Sequence, residues 1–211
     1  MKYIALSTLL LSFSSNSLSS APITWEQWRG PNRDGKITNS DFVWPDNLKG
    51  IKKEWNKKLS EGYSSPIVTT DRVFTVETKN KSDEITRAFD RKSGKQIWEL
   101  SWKGSMKVPF FARKNGSWVR STPIYSKGTL YVGGIRDVLR AIDGKTGKEK
   151  WRVDFVEQEK STVPTFGFVS SPLISNDHLY VQAGAQIVKI KCSDGTKVWG
   201  AMKDNRAMNG S

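Results

Sequence analysis

The sequence predicts an all-β fold, a β-propeller of four-stranded antiparallel blades, on three observations. One pattern, a Ser/Thr-Pro followed by an alternating apolar strand and a Gly-Lys-type turn ahead of a Trp, recurs three times with a period of about fifty residues. Each copy divides into four short strands separated by turn-forming residues. Nine of the 211 residues are Trp, a side chain that buries its ring while its N–H finds a partner, so Trp serves here as a repeated structural part.

The first copy runs from Tyr63-Ser64-Ser65-Pro66 to Asp90-Arg91-Lys92-Ser93-Gly94-Lys95-Gln96-Ile97-Trp98. The second runs from Arg120-Ser121-Thr122-Pro123 to Asp143-Gly144-Lys145-Thr146-Gly147-Lys148-Glu149-Lys150-Trp151. The third runs from Val169-Ser170-Ser171-Pro172 to Cys192-Ser193-Asp194-Gly195-Thr196-Lys197-Val198-Trp199. In the second copy the expected strands are residues 122–125, 129–133, 138–142 and 149–153. Asp90 and Asp143 are suited to accept hydrogen bonds from the turn backbone, and Gly94, Gly147 and Gly195 to supply the positive φ of a bulged hairpin loop. The third copy departs from this pattern, with Lys191 in place of the Asp and Asp194 in place of Ser93 and Thr146.

One such sheet buries too little on its own, so the blades must stack face to face. Trp98, Trp151 and Trp199, at a fixed place in each outer strand, are the expected docking side chains. Residues 50–55, ending in Trp55, resemble an outer strand whose first three strands are absent, the closing strand of a last blade. Propellers need four to eight blades. The chain is therefore expected to be the N-terminal part of a longer ring continuing past Ser211, with a dimerising half-ring or an open stack with an unpaired edge strand as alternatives. The expected organisation is a signal peptide at 1–21, an N-terminal segment with the closing strand at 22–61, and a partial propeller at 62–211. Its blades are expected at about 62–102, 118–155 and 167–202.

Composition narrows the class. A hydrophobic fraction of 36% permits a real core, and the formal charge of +13 favours anionic partners. That charge is spread in short clusters such as Lys52-Lys53 and Lys57-Lys58, which reads as a solvated surface with no specific nucleic-acid motif. Lys2, the short apolar stretch at 3–13 and the small, polar residues 14–21 read as a secretory signal cleaved near 17–21, so the chain is expected in the periplasm or secreted. The apolar stretch is too short to span a bilayer. Cys192 is the only cysteine, which rules out an internal disulfide, and no cysteine follows the apolar stretch to carry a lipid.

The recurring Asp-x-x-Ser/Thr-Gly-Lys-x-x-Trp is similar to the tryptophan-docking motif of PQQ-like propeller repeats, found in quinoprotein alcohol dehydrogenases and in the outer-membrane assembly protein BamB. The opening Trp25-Glu26-Gln27-Trp28-Arg29-Gly30-Pro31-Asn32-Arg33-Asp34-Gly35 resembles the start of secreted, BamB-like bacterial propellers of unassigned function. In the dehydrogenases the resemblance implies a Ca²⁺-bound quinone, an Asp base, an indole beneath the cofactor and often a pair of adjacent cysteines. The single Cys192 excludes the last feature, and no carboxylate matches a ligand or base by motif. No cofactor is expected, PQQ included, and no catalytic or metal-binding residue is assigned.

Other motifs are weak. Asn32-Arg33-Asp34-Gly35 with Asp41 lacks the spacing and closing Glu of a Ca²⁺ loop and reads as a turn. His178, the only histidine, is read as a turn residue. Residues 102–118 form a connection expected to be longer than the others. There Phe110, Phe111 and Trp118 sit among Arg113, Lys114 and Arg120, a mixture suited to an anionic or carbohydrate-like ligand if the aromatics do not simply pack on the blade edge. The leading expectation is an exported, non-catalytic scaffold that binds protein or an anionic polymer. The alternatives are a fragment of a quinone-dependent dehydrogenase and a polyanion- or glycan-binding propeller.

Overall fold

Short alternating segments joined by tight turns fold as antiparallel meanders. The computed structural model, which describes residues 22–37, 46, 47, 49 and 51–203, has three of them. Blade 1 is β1 (Ile67–Val68), β2 (Arg72–Lys79), β3 (Asp83–Asp90) and β4 (Gln96–Lys103). Blade 2 is β5 (Ile124–Ser126), β6 (Thr129–Gly134), β7 (Val138–Asp143) and β8 (Glu149–Asp154). Blade 3 is β9 (Leu173–Ser175), β10 (His178–Ala183), β11 (Gln186–Lys191) and β12 (Lys197–Ala201). In each sheet the strands pair in sequence order. The signal sequence, Asp41, Gly50 and residues 204–211 lie outside the described residues.

The same bulge interrupts every outer strand. Pairing shifts between Ala88 and Phe89, between Ala141 and Ile142, and between Lys189 and Ile190, leaving Ile97, Lys150 and Val198 as the extra residues just before the three Trp. A bulge adds local twist and re-aims the next side chain. The indoles of Trp98 and Trp151 accordingly cross to the following repeat, and Trp55, which lies in no strand, reaches blade 1 in the same way, so that a two-bond relay recurs. The backbone N–H groups of Arg91, Gly144 and Cys192 donate to the Asp71, Gly128 and Asp177 carbonyls of their own blades. The carbonyls of those same three residues accept the indole N–H of Trp55 (2.8 Å), Trp98 (3.1 Å) and Trp151 (3.1 Å). Each indole also lies on the turn glycine beyond it. A Cβ at Gly94 would meet Trp55 at 2.6 Å, one at Gly147 would meet Trp98 at 2.7 Å, and one at Gly195 would meet Trp151 at 2.9 Å.

Gly147 combines that close approach with a φ of +75°, while Gly128 has a similar φ of +78° and open space around it. Both alanine variants carry the left-handed penalty of about 1–2 kcal/mol. Gly147→Ala must also displace the indole, so its melting temperature is expected to fall clearly below that of Gly128→Ala. Equal losses would show that the indole contact contributes nothing.

Asp90 Oδ1 accepts from the Ser93 N–H and hydroxyl, and Asp143 Oδ1 from the Lys145 and Thr146 N–H groups and the Thr146 hydroxyl. The third turn keeps the main-chain pattern, with the Gly195 N–H on the Lys191 carbonyl, and Asp194 takes over by accepting from the Thr196 N–H at 2.8 Å. Lys191 is therefore free of any capping duty.

The core sits between blades. Ile67, Phe74, Val76 and Ala88 of blade 1 meet Val119, Leu130, Val132 and Ile142 of blade 2, with Trp98 and Trp102 against them. Tyr131, Leu139, Ala141 and Val153 of blade 2, with Phe155 and Phe168, meet Leu179, Val181, Val188 and Ile190 of blade 3, with Trp151 packed alongside. Among the described residues no further repeat lies beside Trp199; it meets Tyr180 edge-on and is 40% exposed.

Several expectations change. Residues 51–60 form no named strand: the segment crosses blade 1 held by Trp55, by the Ser60 N–H on Glu77 and by a single bridge from Glu61 to Thr78, with no ladder beside it among the described residues. The first strand of blade 2 begins at Ile124, two residues late, because Pro123 has no N–H and the Thr122 N–H donates to Ser171. His178 is the first residue of β10, paired with Lys191, and not a turn residue. The second connection, Phe155 to Pro172, is nearly as long as the first. It contains α1 (Phe155–Glu159), capped by Asp154 accepting from the Glu157 N–H, which strand periodicity did not reveal.

Candidate functional site

A meander places the start of its first strand, its middle hairpin and the end of its last strand at one end, here termed the loop face. The other two turns lie at the opposite end, the turn face. Both inter-blade connections therefore cross the loop face.

On that face Tyr63 and Arg120 hold the same repeat position, three residues before the Pro. The Arg120 guanidinium lies 4.9 Å from the Tyr63 ring centroid and 5.7 Å from that of Phe166. Trp118 packs on Tyr63 at 5.7 Å. Phe111 meets Phe166 at 6.4 Å and Phe110 at 5.7 Å, both edge-on. A guanidinium held between aromatic faces is a fixed cation, since stacking costs it little hydration. Phe110 and Phe111 lie on a 3₁₀ helix (Phe110–Asn115) started by Pro109 and anchored by buried Val108 and Ala112, with Arg113 and Lys114 in its last turn. They are 79% and 69% exposed, so they do not simply pack on the blade edge. Beside them a cleft of about 480 Å³ is lined by Lys107 and Arg136 together with Val108, Pro109, Val163 and Pro164. The structure thus joins Phe110, Phe111, Trp118 and Arg120 through Tyr63 and Phe166. Tyr63 was detectable as the repeat partner of Arg120; Phe166 belongs to no motif.

Two buried acids tie the blades together on the same face. Glu84 accepts from the Ile135 N–H at the tip of the blade 2 hairpin and from the Trp102 indole, both at 2.6 Å. Burial pushes its carboxyl up to about 7 against the opposing effect of these donors and of Arg140. Asp137 accepts from the Gly184 N–H of the blade 3 hairpin at 2.7 Å. Burial raises it to about 6, opposed by that N–H and reinforced by the charge of Asp154. No local motif marks either residue.

Residues 22–37 stitch the inner strands. Trp25 exchanges both backbone bonds with Val68 of blade 1, the Glu26 carbonyl accepts from the Tyr125 N–H of blade 2, and the Arg33 guanidinium donates to the Pro172 carbonyl of blade 3 at 3.1 Å. Asp34 caps a turn through the Lys36 N–H. No three His, Cys, Asp or Glu side chains converge as a metal-holding group among the described residues, and Glu84 and Asp137 serve inter-blade N–H groups. No helix among the described residues is long and apolar enough to cross a membrane.

Three Trp-docked, four-stranded antiparallel sheets define a β-propeller chain of the PQQ-like repeat type. The family model described as outer membrane protein assembly factor BamB matches residues 81–210, and the chain belongs to that family. It is 23% identical over 164 residues to a tetrathionate hydrolase of Acidithiobacillus ferrooxidans, covering 76% of this chain and 31% of that protein. It is 21% identical over 152 residues to BamB of Shewanella oneidensis, covering 69% and 35%. The chain thus spans about a third of each relative. Among solved structures, BamB from Moraxella catarrhalis superposes with a TM-score of 0.50 at 16% identity over 72% of this chain and 41% of that one. Quinohemoprotein alcohol dehydrogenase from Comamonas testosteroni does so at 0.50 and 21%, over 68% and 21%.

Proposed function

We propose that this chain belongs to an exported, non-catalytic propeller that docks a protein partner on its loop face, without a bound quinone. The observation that carries this reading is the pair of exposed rings, Phe110 and Phe111, presented beside Arg113 and Lys114 and backed by the fixed Arg120 stack. Aromatic and arginine side chains held on a rigid support are what binding hot spots use. A relative named as an outer membrane protein assembly factor fits a protein partner and an exported location, and the Lys2-led apolar stretch fits the location.

A photo-crosslinking side chain at position 111 is expected to form a protein adduct in the exported fraction. The same group at Lys145 on the turn face should not, and the Arg113→Ala/Lys114→Ala variant should lose the adduct while melting at the parent temperature. Equal adducts at both positions would reject the surface. Dye reduction by the protein with added quinone, Ca²⁺ and an alcohol would reject the non-catalytic reading.

The Lys107 and Arg136 cleft favours a second reading, an acidic glycan on the same face. It predicts retention on heparin that salt reverses and that Arg136→Ala weakens.

A further inference from the structure

On the turn face, remote from the loops discussed so far, blades 2 and 3 enclose a cleft of about 580 Å³. Lys127, Thr129, Lys150, His178, Lys191 and Ser193 line it. The matching place between blades 1 and 2 is filled, because Arg72 reaches across and donates to the Gly144 carbonyl at 2.9 Å. The repeat equivalent of Arg72 is the short Thr129, and the equivalent of Gly144 is Cys192. The Cys192 carbonyl is served instead by the Tyr131 hydroxyl at 3.2 Å, from the position that Phe74 holds in blade 1. Tyr131 thus supplies the bond and Thr129 leaves the space.

The second departure from the repeat falls on the same cleft. Lys191 stands where Asp90 and Asp143 cap their turns; Asp194 caps the third turn in its stead, and Lys191 makes no ion pair among the described residues. A negative capping residue has been exchanged for a cation that faces the cleft. Lys150, the bulge residue of β8, donates to Thr129 Oγ1 at 2.8 Å and stands 3.6 Å from Asp143. Lys127 pairs with Asp177 at 2.6 Å across the blade boundary, both side chains well exposed. The His178 Nδ1 lies 2.7 Å from the Asn176 carbonyl, an acceptor, so Nδ1 carries a proton.

We propose that this cleft binds a small phosphate-bearing anion, with Lys191 and Lys150 as its charged ligands and Thr129 and Ser193 as hydroxyl donors. Three lysines face one acid within the lining, so the cleft carries net positive charge, and its ammonium and hydroxyl groups offer the several donors that phosphate oxygens require. A lysine site suits phosphate as a point charge without planar recognition. The proposal is independent of the loop-face reading, because no residue is shared.

Calorimetric titration of the full chain with sodium pyrophosphate tests it, with sodium chloride at matched ionic strength as control. Phosphatidic acid vesicles form a parallel arm, and binding in either arm identifies the source of the phosphate. Saturable binding is expected in pyrophosphate or on the vesicles and not in chloride. Lys191→Asp restores the residue of the other two repeats and Thr129→Arg the space-filling residue of the first, so both should fold and melt like the parent while weakening binding by roughly tenfold or more, the first by reversing a charge and the second by occupying the cleft. Lys150→Ala, at an exposed position, provides the same readout should either of those fail to fold. No saturable binding in either arm, or binding that all of the folded variants retain, would overturn the assignment.

Discussion

Trp151→Ala is expected to destabilise the chain by about 3 kcal/mol, the lower end of the cost of removing a core indole, since Trp151 is half-buried against the core between blades 2 and 3, and Trp199→Ala by no more than about 1 kcal/mol, as at an exposed site. The two residues occupy the same position of the same repeat, and sequence alone gives them equal weight. The difference is in what lies beyond them. Trp151 packs on Tyr131 at 5.8 Å, rests on Gly195 and donates to the Cys192 carbonyl, so its loss opens a cavity between blades 2 and 3 and removes a cross-blade bond. Trp199 meets only Tyr180 among the aromatic rings described, and no carbonyl among the described residues accepts its N–H. Trp151→Phe should fall between the extremes, because the Cys192 carbonyl keeps the Tyr131 hydroxyl. Urea unfolding of the three variants, followed by circular dichroism, gives the ranking. Equal losses at 151 and 199 would mean that docking onto the next turn is not what stabilises the stack.

That contrast shows where the sequence is informative. A repeated Asp-x-x-Ser/Thr-Gly-Lys-x-x-Trp encodes a turn, a bulge and an indole in one local string, so the meanders and the docking Trp residues could be read directly. The identity of the acceptor could not, because the carbonyls of Arg91, Gly144 and Cys192 carry no side-chain signal. Residues 50–55, ending in Trp55, resemble an outer strand in sequence, yet 51–55 have no partner strand among the described residues, and a strand exists only where a neighbour supplies a ladder, which is a tertiary fact. The loop-face site was half legible. Phe110, Phe111, Arg113 and Lys114 stood out as an aromatic and basic cluster, but their link to Arg120 runs through Phe166, more than forty residues downstream of it. The lysine cleft was visible only as a repeat irregularity at Lys191, whose meaning depends on Thr129 across the blade boundary.

Stability is expected to fall as pH rises from 5 to 8, by on the order of 2–4 kcal/mol, through Glu84 and Asp137. Both carboxyls are raised in the folded chain, to about 7 and about 6, so between the ordinary carboxylate range and those values the folded state holds more protons than the unfolded one. Raising the pH through that window therefore favours unfolding, and above it the dependence ends. The structural reason is that each acid serves an N–H on the neighbouring blade while the surrounding core desolvates its charge; Asp137 leaves one carboxyl oxygen without a partner, which the protonated form tolerates better. Asp83, Asp90 and Asp143, which are half-buried, and the exposed Asp177 and Asp194 are shifted the other way by their hydrogen bonds, and what they contribute is lost only in stronger acid, outside this window. Glu84→Gln isolates the cause. The amide keeps an acceptor for the Ile135 N–H but cannot titrate, so the variant should start slightly less stable at pH 5 and lose distinctly less on going to pH 8. A decline in Glu84→Gln as steep as in the parent would remove Glu84 as its source, leaving Asp137→Asn to carry or refute the inter-blade explanation.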